Sequence, residues 1–428
     1  MTNRRQFLAG TALGAMAMTS SLRSIAAKSA DEPSAALLER AQSLLEQAPL
    51  IDTHNDLPSM FLEDGAGDLA RYDLSRRQPK LCADIPALRE GRVGVQYWSI
   101  FVESATQNEK LSLHEAMREF DITLRLMRGY QEFEQARSAA DIERIHKAGR
   151  IACLMGVEGG HMIENSPAVL RVFHELGARY LTLTHWDNVS WADSATDRAE
   201  HFGLTDLGRK LVHEMNRIGM FADLSHVSAD TMRDVLRESR APVIFSHANA
   251  FALNPHPRNV PDDVLTLLKT NGGVIHVNFI RPFVARNGFA WTQQREAYQR
   301  ELRARQLDDA AIKKAVTEWE KATAPRVGIS EVADHIDHIR KVAGIDHIGI
   351  GADYYDAELV TMVDGLPNVT RYPYLFAELL RRGYSDEDVL KIAGRNHLRA
   401  LRAMEKVSAE LSRTSSPLIT EPVRKSWT

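Results

Sequence analysis

The chain has 428 residues, of which 44% are hydrophobic and 26% are charged, which is enough material for a large core. The formal net charge of −4 argues against a nucleic-acid-binding protein, because such proteins usually carry a basic face. Two cysteines, Cys82 and Cys153, could form one disulfide but are too few for a disulfide framework.

The first 30 residues are typical of an export signal. Arg4 and Arg5 precede Phe7 and Leu8, and an apolar run that is too short to span a bilayer continues to Met18. The arginine pair followed by Phe-Leu favours the twin-arginine route to the periplasm over an ordinary secretory signal. We therefore expect an exported protein that has no transmembrane anchor in its mature chain.

Eight short apolar segments alternate with amphipathic helical patterns between residues 48 and 400. The predicted strands are 49–56, 93–101, 151–159, 178–186, 220–228, 242–250, 272–279 and 347–355. Segments between them carry apolar residues at three- and four-residue spacing, and several stop at a glycine, which is typical of helices. This alternation predicts βα units around a parallel sheet.

Six of the predicted strands end in a side chain that can bind a metal or transfer a proton. These side chains are His54 with Asp56, Glu158, His185, His226, His247 and Asp353. In a closed barrel the carboxyl ends of the strands converge on one mouth, whereas an open sheet would spread them along a line. We therefore predict an α/β fold of the (β/α)₈ TIM barrel type, as in metal-dependent hydrolases.

Residues 283–327 depart from this rhythm, because they are charged, helical and poor in strand signal. They predict an insertion between the seventh and eighth strands. A solvated helical hairpin is the common form of such a segment, and a lid or an assembly surface near the barrel mouth is the alternative. We expect the barrel domain to span residues 31–408 and a C-terminal tail to occupy residues 409–428.

Five of the strand-end residues suit a metal site. His54 and Asp56 lie two residues apart, so both side chains can point to one face of a strand. One such pair is weak evidence, but Glu158, His226 and His247 end three further apolar strands. Five ligands exceed one tetrahedral site and suit two divalent cations that share Glu158 and a bridging water. Zinc is the first candidate, with manganese, iron and cobalt as alternatives.

Three other side chains are candidates for catalysis and substrate binding. Asp353 could take the proton of a bound water and deliver it to a leaving amine, or it could only cap a turn. His185 could stabilise an oxyanion, bind a metal or pack in the core. Arg258 could hold a substrate carboxylate, or it could pair with Asp262 or Asp263 at the surface.

The remaining histidines lack a strand-end position. We place His174 and His213 in helices and His335 and His338 on a surface helix. His161 and His276 stay candidates for supporting groups near the site.

These motifs, in this order, resemble the renal (membrane) dipeptidase family, which are zinc peptidases with an amidohydrolase-like (β/α)₈ barrel. The matching stretches are HNDLP at 54–58, GVEGGH at 156–161, RYLTLTH at 179–185, DLSHVS at 223–228, APVIFSH at 241–247, RNVPDD at 258–263, VADHIDHI at 332–339 and AELLRRGYS at 377–385. The resemblance runs from about residue 48 to 400, which is essentially the whole mature domain.

The resemblance implies a metallo-dipeptidase in which a hydroxide bridging two metal ions attacks the peptide bond. The implied metal ligands are His54, Asp56, Glu158, His226 and His247, with Glu158 bridging. His185 would bind the substrate carbonyl or its tetrahedral intermediate, Arg258 would hold the C-terminal carboxylate of a dipeptide, and Asp353 would act as general base and acid. A homodimer is compatible with the resemblance.

Three features depart from the family pattern. The family often continues the strand-eight aspartate as Asp-Phe-Asp-Gly, whereas this chain has Asp353-Tyr354-Tyr355-Asp356-Ala357. Residues 283–327 are longer than the connection we expect in mammalian members. The polar C-terminus EPVRKSWT does not support the lipid anchor of those members.

Two other functions stay open. A barrel amidohydrolase for N-acyl amino acids, related amides or lactones would keep the carboxylate contact of Arg258. Many such enzymes bridge their metals with a modified lysine at the end of the fourth strand, where this chain has Thr182-Leu183-Thr184-His185. A non-catalytic binding protein on a barrel scaffold is a third reading, but it would have no use for Asp353 as a base.

Overall fold

A computed structural model of the chain describes residues 33–355 and 361–419. The predicted export signal and residues 420–428 of the predicted tail lie outside these residues. The described strands are β1 (Leu50–Asn55), β2 (Val93–Phe101), β3 (Phe133–Gln135), β4 (Ile151–Glu158), β5 (Ala178–Thr182), β6 (Phe221–Asp223), β7 (Ile244–Phe245), β8 (Val274–Val277) and β9 (Ile348–Ile350). Each predicted strand contains one of them, and β3 is additional.

Helices fill the connections between the strands. They are α1 (Ala35–Gln47), α2 (Leu57–Gly65), α3 (Ile85–Glu90), α4 (Thr106–Glu109), α5 (Ser112–Gly129), α6 (Ala139–Lys147), α7 (Pro167–Leu176), α8 (Asp206–Ile218), α9 (Ala229–Glu238), α10 (Asp262–Asn271), α11 (Arg281–Val284), α12 (Arg286–Ala304), α13 (Asp309–Thr323), α14 (Ile329–Val342), α15 (Tyr372–Arg381), α16 (Asp386–Leu390) and α17 (Asn396–Thr414). Short 3₁₀ turns cover Leu69–Arg71, Gly160–Ile163, Ile345–His347 and Val369–Arg371, and a π-helical turn covers Lys391–Arg395.

The sheet is parallel and closes on itself. Its order is β2-β1-β9-β8-β7-β6-β5-β4, and β2 pairs with β4 along seven residues from Val95↔Ala152 to Phe101↔Glu158. This closure confirms the predicted (β/α)₈ barrel. The extra strand β3 pairs with the first residues of β4, ahead of the part that pairs with β5. Nearly every strand residue is buried, as expected for strands covered on both faces.

A buried aspartate, Asp52 on β1, ties neighbouring elements together below the mouth. It accepts hydrogen bonds from the backbone N–H of His54 (3.2 Å) and of Ala352 (3.0 Å). It also accepts from the side chain of Gln96 (2.9 Å) and from the hydroxyl of Tyr372 (2.6 Å). Four donors satisfy this carboxylate, which therefore serves as a structural clamp between β1, β2 and β9.

Asp223 on β6 occupies a similar position on the other side of the barrel. It accepts from the backbone N–H of Ser225 (3.1 Å) and of Ser246 (2.7 Å). The hydroxyls of Thr182 (2.5 Å) and Ser246 (2.6 Å) also donate to it. Together, Asp52 and Asp223 fix the strand ends that carry the candidate site residues.

The region 283–327 consists of helices α12 and α13, which share a small core of Leu302, Ile312 and Val316. The rings of Trp291 and Trp319 stack at 5.8 Å between centres. The two helices therefore have packing of their own in addition to their attachment to the barrel. A lid function for this hairpin stays a prediction.

The C-terminal region stays ordered beyond residue 408, where we expected the tail to begin. Helix α17 continues to Thr414, and Leu418 then bonds to two residues of the outer helices. Its N–H donates to Glu214 (3.1 Å), and its carbonyl accepts from Arg171 (3.0 Å). The chain thus packs against α7 and α8 at least as far as Leu418.

Two further features concern disulfide bonds and membrane-spanning helices. Both cysteines are buried, and no disulfide joins them in the part of the chain that the structure describes. None of the helices within residues 33–355 and 361–419 has the length and apolar character required to cross a bilayer.

Candidate metal centre and active site

The five predicted metal ligands meet at the carboxyl ends of the strands, with Glu158 at the centre. Its Oε2 lies 3.4 Å from His54 Nε2, and Asp56 Oδ1 is also 3.4 Å from that nitrogen. Its Oε1 lies 3.0 Å from His226 Nε2 and 3.3 Å from His247 Nε2. Each carboxylate oxygen of Glu158 therefore belongs to a separate group of three potential ligands.

This arrangement fits bound cations. The Nε2 atoms of His226 and His247 lie 3.1 Å apart and approach the same carboxylate oxygen. His54 Nε2 and Asp56 Oδ1 are buried and have no hydrogen-bond partner among the described residues. A divalent cation in each group would satisfy these atoms, and mixed imidazole and carboxylate ligands suit zinc and related metals.

Hydrogen bonds behind two of the imidazoles orient their Nε2 atoms. His54 Nδ1 lies 2.9 Å from the hydroxyl of Tyr180, which donates its own hydrogen to the carbonyl of the residue before His54. His247 Nδ1 lies 2.8 Å from the hydroxyl of Ser246, which donates to Asp223. When each hydroxyl donates in this way, Nδ1 is the donor to it and Nε2 keeps its lone pair. Such support is typical of metal-binding histidines.

The charges of the cluster also favour metal binding. Burial raises the pKa of Glu158, but the neighbouring imidazoles of His54, His226 and His247 outweigh it and hold that pKa well below its usual range. Burial, reinforced by nearby positive groups, lowers the pKa values of His226 and His247 well below the usual range. An ionised carboxylate and neutral imidazoles are the forms that bind metals.

His54 behaves differently from the other two imidazoles. Burial lowers its pKa, but Tyr180, Glu158 and Asp56 together raise that pKa well above the usual range. Positive charge at His54 Nε2 is therefore stabilised by its surroundings. A metal cation would occupy the place that a proton otherwise takes.

Two candidate residues have a backbone conformation that is unusual for residues other than glycine. The φ angle is +67° at His226 and +65° at Asp353. Left-handed conformations of such residues cost about 1–3 kcal/mol and persist where the surrounding structure imposes them, often at functional sites. The sharp turns after β6 and β9 are therefore part of the site.

A cavity of about 350 Å³ adjoins the cluster. It is lined by candidate functional residues and by a surrounding wall of aromatic and acidic side chains. The first set is Asp56, Glu158, His185, His226, Arg258 and Asp353, and the second is Glu63, Phe101, Glu103, Trp186, Phe283 and Tyr355. A cavity of this size accommodates a small ligand.

Asp353 and His185 lie beside the cluster. Asp353 also forms a third group of potential ligands with His54 and His247. Asp353 Oδ1 lies 3.8 Å from His54 Nε2. Burial raises the pKa of Asp353 to about 7, with Asp56 and Glu158 adding to the rise and His54 opposing it. His185 Nε2 lies 3.9 Å from Glu158 Oε1, farther than the five ligands, and burial lowers the pKa of His185 to about 4. A proton-exchanging carboxyl and a neutral imidazole donor thus face the cavity.

Arg258 is a buried cation that pairs with none of the described residues. It is 1% exposed, and its three guanidinium nitrogens have no hydrogen-bond partner in the described part of the chain. The surface pairing with Asp262 or Asp263 is not observed, because those carboxylates pair with other residues. The guanidinium lies 5.3 Å from the ring centre of Phe283. A buried charge without a partner is costly, so this position indicates a binding site for an anion.

The fold and the cluster agree with comparisons to known proteins. A family model described as membrane dipeptidase, peptidase family M19, matches residues 38–415. The chain belongs to this family. It is therefore a metallo-dipeptidase, and the expectation from the sequence motifs is confirmed.

Relatives of this M19 dipeptidase come from distant organisms. Dipeptidase verJ of Clonostachys rogersoniana is 37% identical over 402 residues, covering 91% of this chain and 93% of its own. Dipeptidase 3 of Macaca fascicularis is 38% identical, covering 90% and 71% of the two chains. The crystal structure of the probable dipeptidase PvdM from Pseudomonas aeruginosa superimposes with a TM-score of 0.75 at 25% identity, covering 87% and 99%.

Other histidines of the M19 dipeptidase bond to groups outside the cluster. His335 lies on helix α14, which has an exposed face as predicted, but its own side chain points inward: it is buried, accepts from Ala250 N (3.1 Å) and donates to Val284 O (2.8 Å). His161 Nε2 donates to Val102 O (3.0 Å). His276 lies deeper in the barrel, where it bonds to the neighbouring backbone and to another histidine.

Sequence reasoning missed the groups that support the M19 ligands. Tyr180, Ser246, Asp52 and Asp223 hold the imidazoles or the strand ends in place. One signal was available, because a carboxylate inside an apolar strand needs donors around it. The partners themselves depend on how separate strands are placed in three dimensions.

Proposed function

We propose that this M19 dipeptidase hydrolyses dipeptides that carry a free C-terminal carboxylate, at a centre with two divalent metal ions, zinc first among them. The observation that carries the proposal is the unpaired guanidinium of Arg258 in the same cavity as the Glu158 cluster. One part of the cavity matches an anion, and the other matches metal ions.

The potential metal ligands fall into two groups, one around each carboxylate oxygen of Glu158. His54, Asp56 and Oε2 would hold one cation, and His226, His247 and Oε1 would hold the other. When bound, the cations would supply a hydroxide as the nucleophile and would polarise the substrate carbonyl.

The other residues would bind the substrate and move the proton. Arg258 would hold the substrate carboxylate with two hydrogen bonds, which fixes the C-terminal residue. Neutral His185 would donate a hydrogen bond to the oxygen of the scissile carbonyl. Asp353 would accept the proton of the attacking water and return it to the nitrogen of the leaving amine.

Metal content and a matched substrate panel test this proposal. The panel contains a dipeptide, its C-terminal amide and an N-acetyl amino acid. We expect about two metal ions per chain, hydrolysis of the dipeptide, and much slower hydrolysis of the amide. Asp353→Asn should lower kcat by about 10²–10⁴ while the metal content stays the same. Asp262→Asn, at the surface, is the matched control.

Each part of the proposal has an outcome that contradicts it. A fully active protein that contains one metal ion per chain would contradict the two-metal centre. Equal hydrolysis of dipeptide and amide would remove the carboxylate requirement. A preference for the N-acetyl amino acid would assign the chain to the amidohydrolase alternative.

The export route and the oligomeric state are separate proposals. We propose twin-arginine export from Arg4 and Arg5, which lie outside the described residues. Periplasmic fractions of cells that express a variant with both arginines replaced by lysine should lack the enzyme. An undiminished periplasmic level would favour the ordinary secretory route. The homodimer implied by family resemblance is checked by light scattering, where a monomer mass would exclude it.

A further inference from the structure

The cavity has a positive side and a negative side. Arg258 lines it from the loop after β7, whereas Glu63 and Glu103 line it from the segments after β1 and β2. In the closed barrel, β2 and β7 are four strands apart in both directions. Glu103 and Arg258 therefore reach the cavity from opposite sides of the mouth.

The negative side concentrates several carboxylates. Burial raises the pKa of Glu103, and Glu158, Glu63 and Asp187 raise it further. The carboxylates thus destabilise one another, and a cation placed among them would relieve this repulsion. The hydroxyl of Tyr355 donates to Glu63 and holds it at the cavity. Although neighbouring atoms partly desolvate its carboxyl group, Glu103 as a residue is exposed to solvent and so can be reached by a ligand.

Aromatic side chains line the same cavity. Phe101, Trp186, Phe283 and Tyr355 all face the cavity, and Trp186 is 40% exposed. Long cationic side chains pack their alkyl part on such surfaces while their charged end contacts carboxylates. An indole ring also attracts a cation directly. This wall is therefore suited to the stem of a lysine or arginine.

We propose that Glu103 and Glu63 bind a cationic side chain on the first residue of the substrate, so that the preferred substrates are dipeptides beginning with Lys or Arg. This inference rests on the proposed function, because the carboxylate at Arg258 sets the direction of the substrate. With its C-terminus there and its peptide bond at the Glu158 cluster, a dipeptide would have its first residue on the side of the cavity lined by Glu63 and Glu103. The unpaired, buried Arg258 is the independent sign that the cavity binds a charged ligand.

The test compares two substrates of nearly equal shape, lysyl-alanine and norleucyl-alanine, which differ in the terminal ammonium group. We expect the wild-type enzyme to prefer lysyl-alanine by about fivefold or more in kcat/KM at low salt, since two partly exposed carboxylates act together. The preference should fall as salt is added. In the variant with both Glu63→Gln and Glu103→Gln, the ratio should approach one.

Two further variants separate contact from general charge. Glu109→Gln removes one carboxylate from the same segment after β2, outside the cavity lining, and should keep the wild-type ratio. Glu103→Lys should reverse the selectivity, so that glutamyl-alanine becomes better than lysyl-alanine. The ratio of two substrates in one enzyme is insensitive to losses of active protein.

The outcomes distinguish this inference from the proposed function. A wild-type ratio near one, or a ratio unchanged in the double variant, overturns the inference while dipeptide hydrolysis stands. Folded, metal-loaded enzyme that cleaves neither dipeptide overturns both. If Glu109→Gln lowers the ratio of lysyl-alanine to norleucyl-alanine as much as the double variant does, the preference comes from the overall negative charge of the region, and the assignment to Glu103 and Glu63 is overturned.

Discussion

Replacing Arg258 with methionine is expected to stabilise the substrate-free protein and to remove most of its activity. Burial lowers the pKa of Arg258 from 12.5 to about 10. At about 1.4 kcal/mol per pKa unit, keeping this buried residue charged costs about 3 kcal/mol at any pH below 10. The contact with Phe283 offsets up to about 1 kcal/mol of that cost. Methionine has a similar shape without the charge, so the net gain is about 2 kcal/mol.

Urea-induced unfolding of metal-loaded protein without substrate measures this gain in the free energy of unfolding, and thermal unfolding checks it. With an unfolding entropy of about 2.1 cal/mol/K per residue, a gain of about 2 kcal/mol raises the thermal midpoint of a chain of this size by roughly 2–3 °C. The same variant should lose about 100-fold in kcat/KM for a dipeptide, because two charged hydrogen bonds are removed. Its remaining activity should no longer distinguish a dipeptide from its amide.

A surface arginine gives the matched control. Arg233 pairs with Asp263 at 2.7 Å and is partly exposed, so Arg233→Met should lower the free energy of unfolding by less than about 1 kcal/mol and leave activity unchanged. If Arg258→Met instead loses more than about 1 kcal/mol of stability, the guanidinium is already satisfied in the free protein. The argument from an unpaired charge would then be refuted.

Three further changes test the support of the site and the buried charges. Tyr180→Phe removes the hydrogen-bond partner of His54 Nδ1 and should weaken metal affinity about 10–100-fold in a chelator competition, whereas unchanged affinity would show that this bond is dispensable. Burial raises the pKa of Glu119 from 4.5 to about 8, so its carboxyl stays protonated in the folded protein while it ionises in the unfolded chain. The contribution of Glu119 to stability should therefore fall between about pH 5 and pH 8. Glu119→Gln should be more stable than wild type by about 3–5 kcal/mol at pH 8.5 but nearly equal at pH 4.5, as measured by urea unfolding. A difference independent of pH would contradict this. Gly156→Ala would place its Cβ 1.8 Å from Tyr180 Cζ and should lower the free energy of unfolding by about 3 kcal/mol or more in thermal unfolding. Gly129→Ala is the control: its Cβ meets no atom within 4 Å in the described residues, so it should be neutral or slightly stabilising.

The strand ends of the barrel could be predicted because their chemistry is local. His54 and Asp56 follow the two-residue period of a strand, and Glu158 stands out after an apolar run. The lengths of β6 and β7 could not be read in the same way. The predicted segments 220–228 and 242–250 include loops, because the turns that carry His226 and His247 are themselves buried and contain apolar residues such as Leu224 and Ala248.

Other features depended on contacts between distant parts of the chain. Tyr180 resembles an ordinary core residue in the sequence, and only the closed barrel brings its hydroxyl to His54. His335 was assignable in principle, since it shares a helix face with Val332, Ile336 and Ile339 at three- and four-residue spacing. Its buried position follows from that pattern, and the acidic residues around it obscured the pattern.

Asp52 and Asp223 lie at two places where neighbouring strands of the barrel pair only briefly. Between β1 and β9, and between β6 and β7, the strands share one register pair each, Asp52↔Ile350 and Asp223↔Ile244. Just beyond those pairs, the carboxylates take over from the peptide carbonyls and receive the N–H groups of Ala352 and Ser246. At both of these short strand pairings, a carboxylate therefore holds the backbone residue that precedes a site residue, Asp353 or His247. Hydrogen exchange at Ala352 and Ser246 therefore reports how often the mouth loosens, without a probe inside the site.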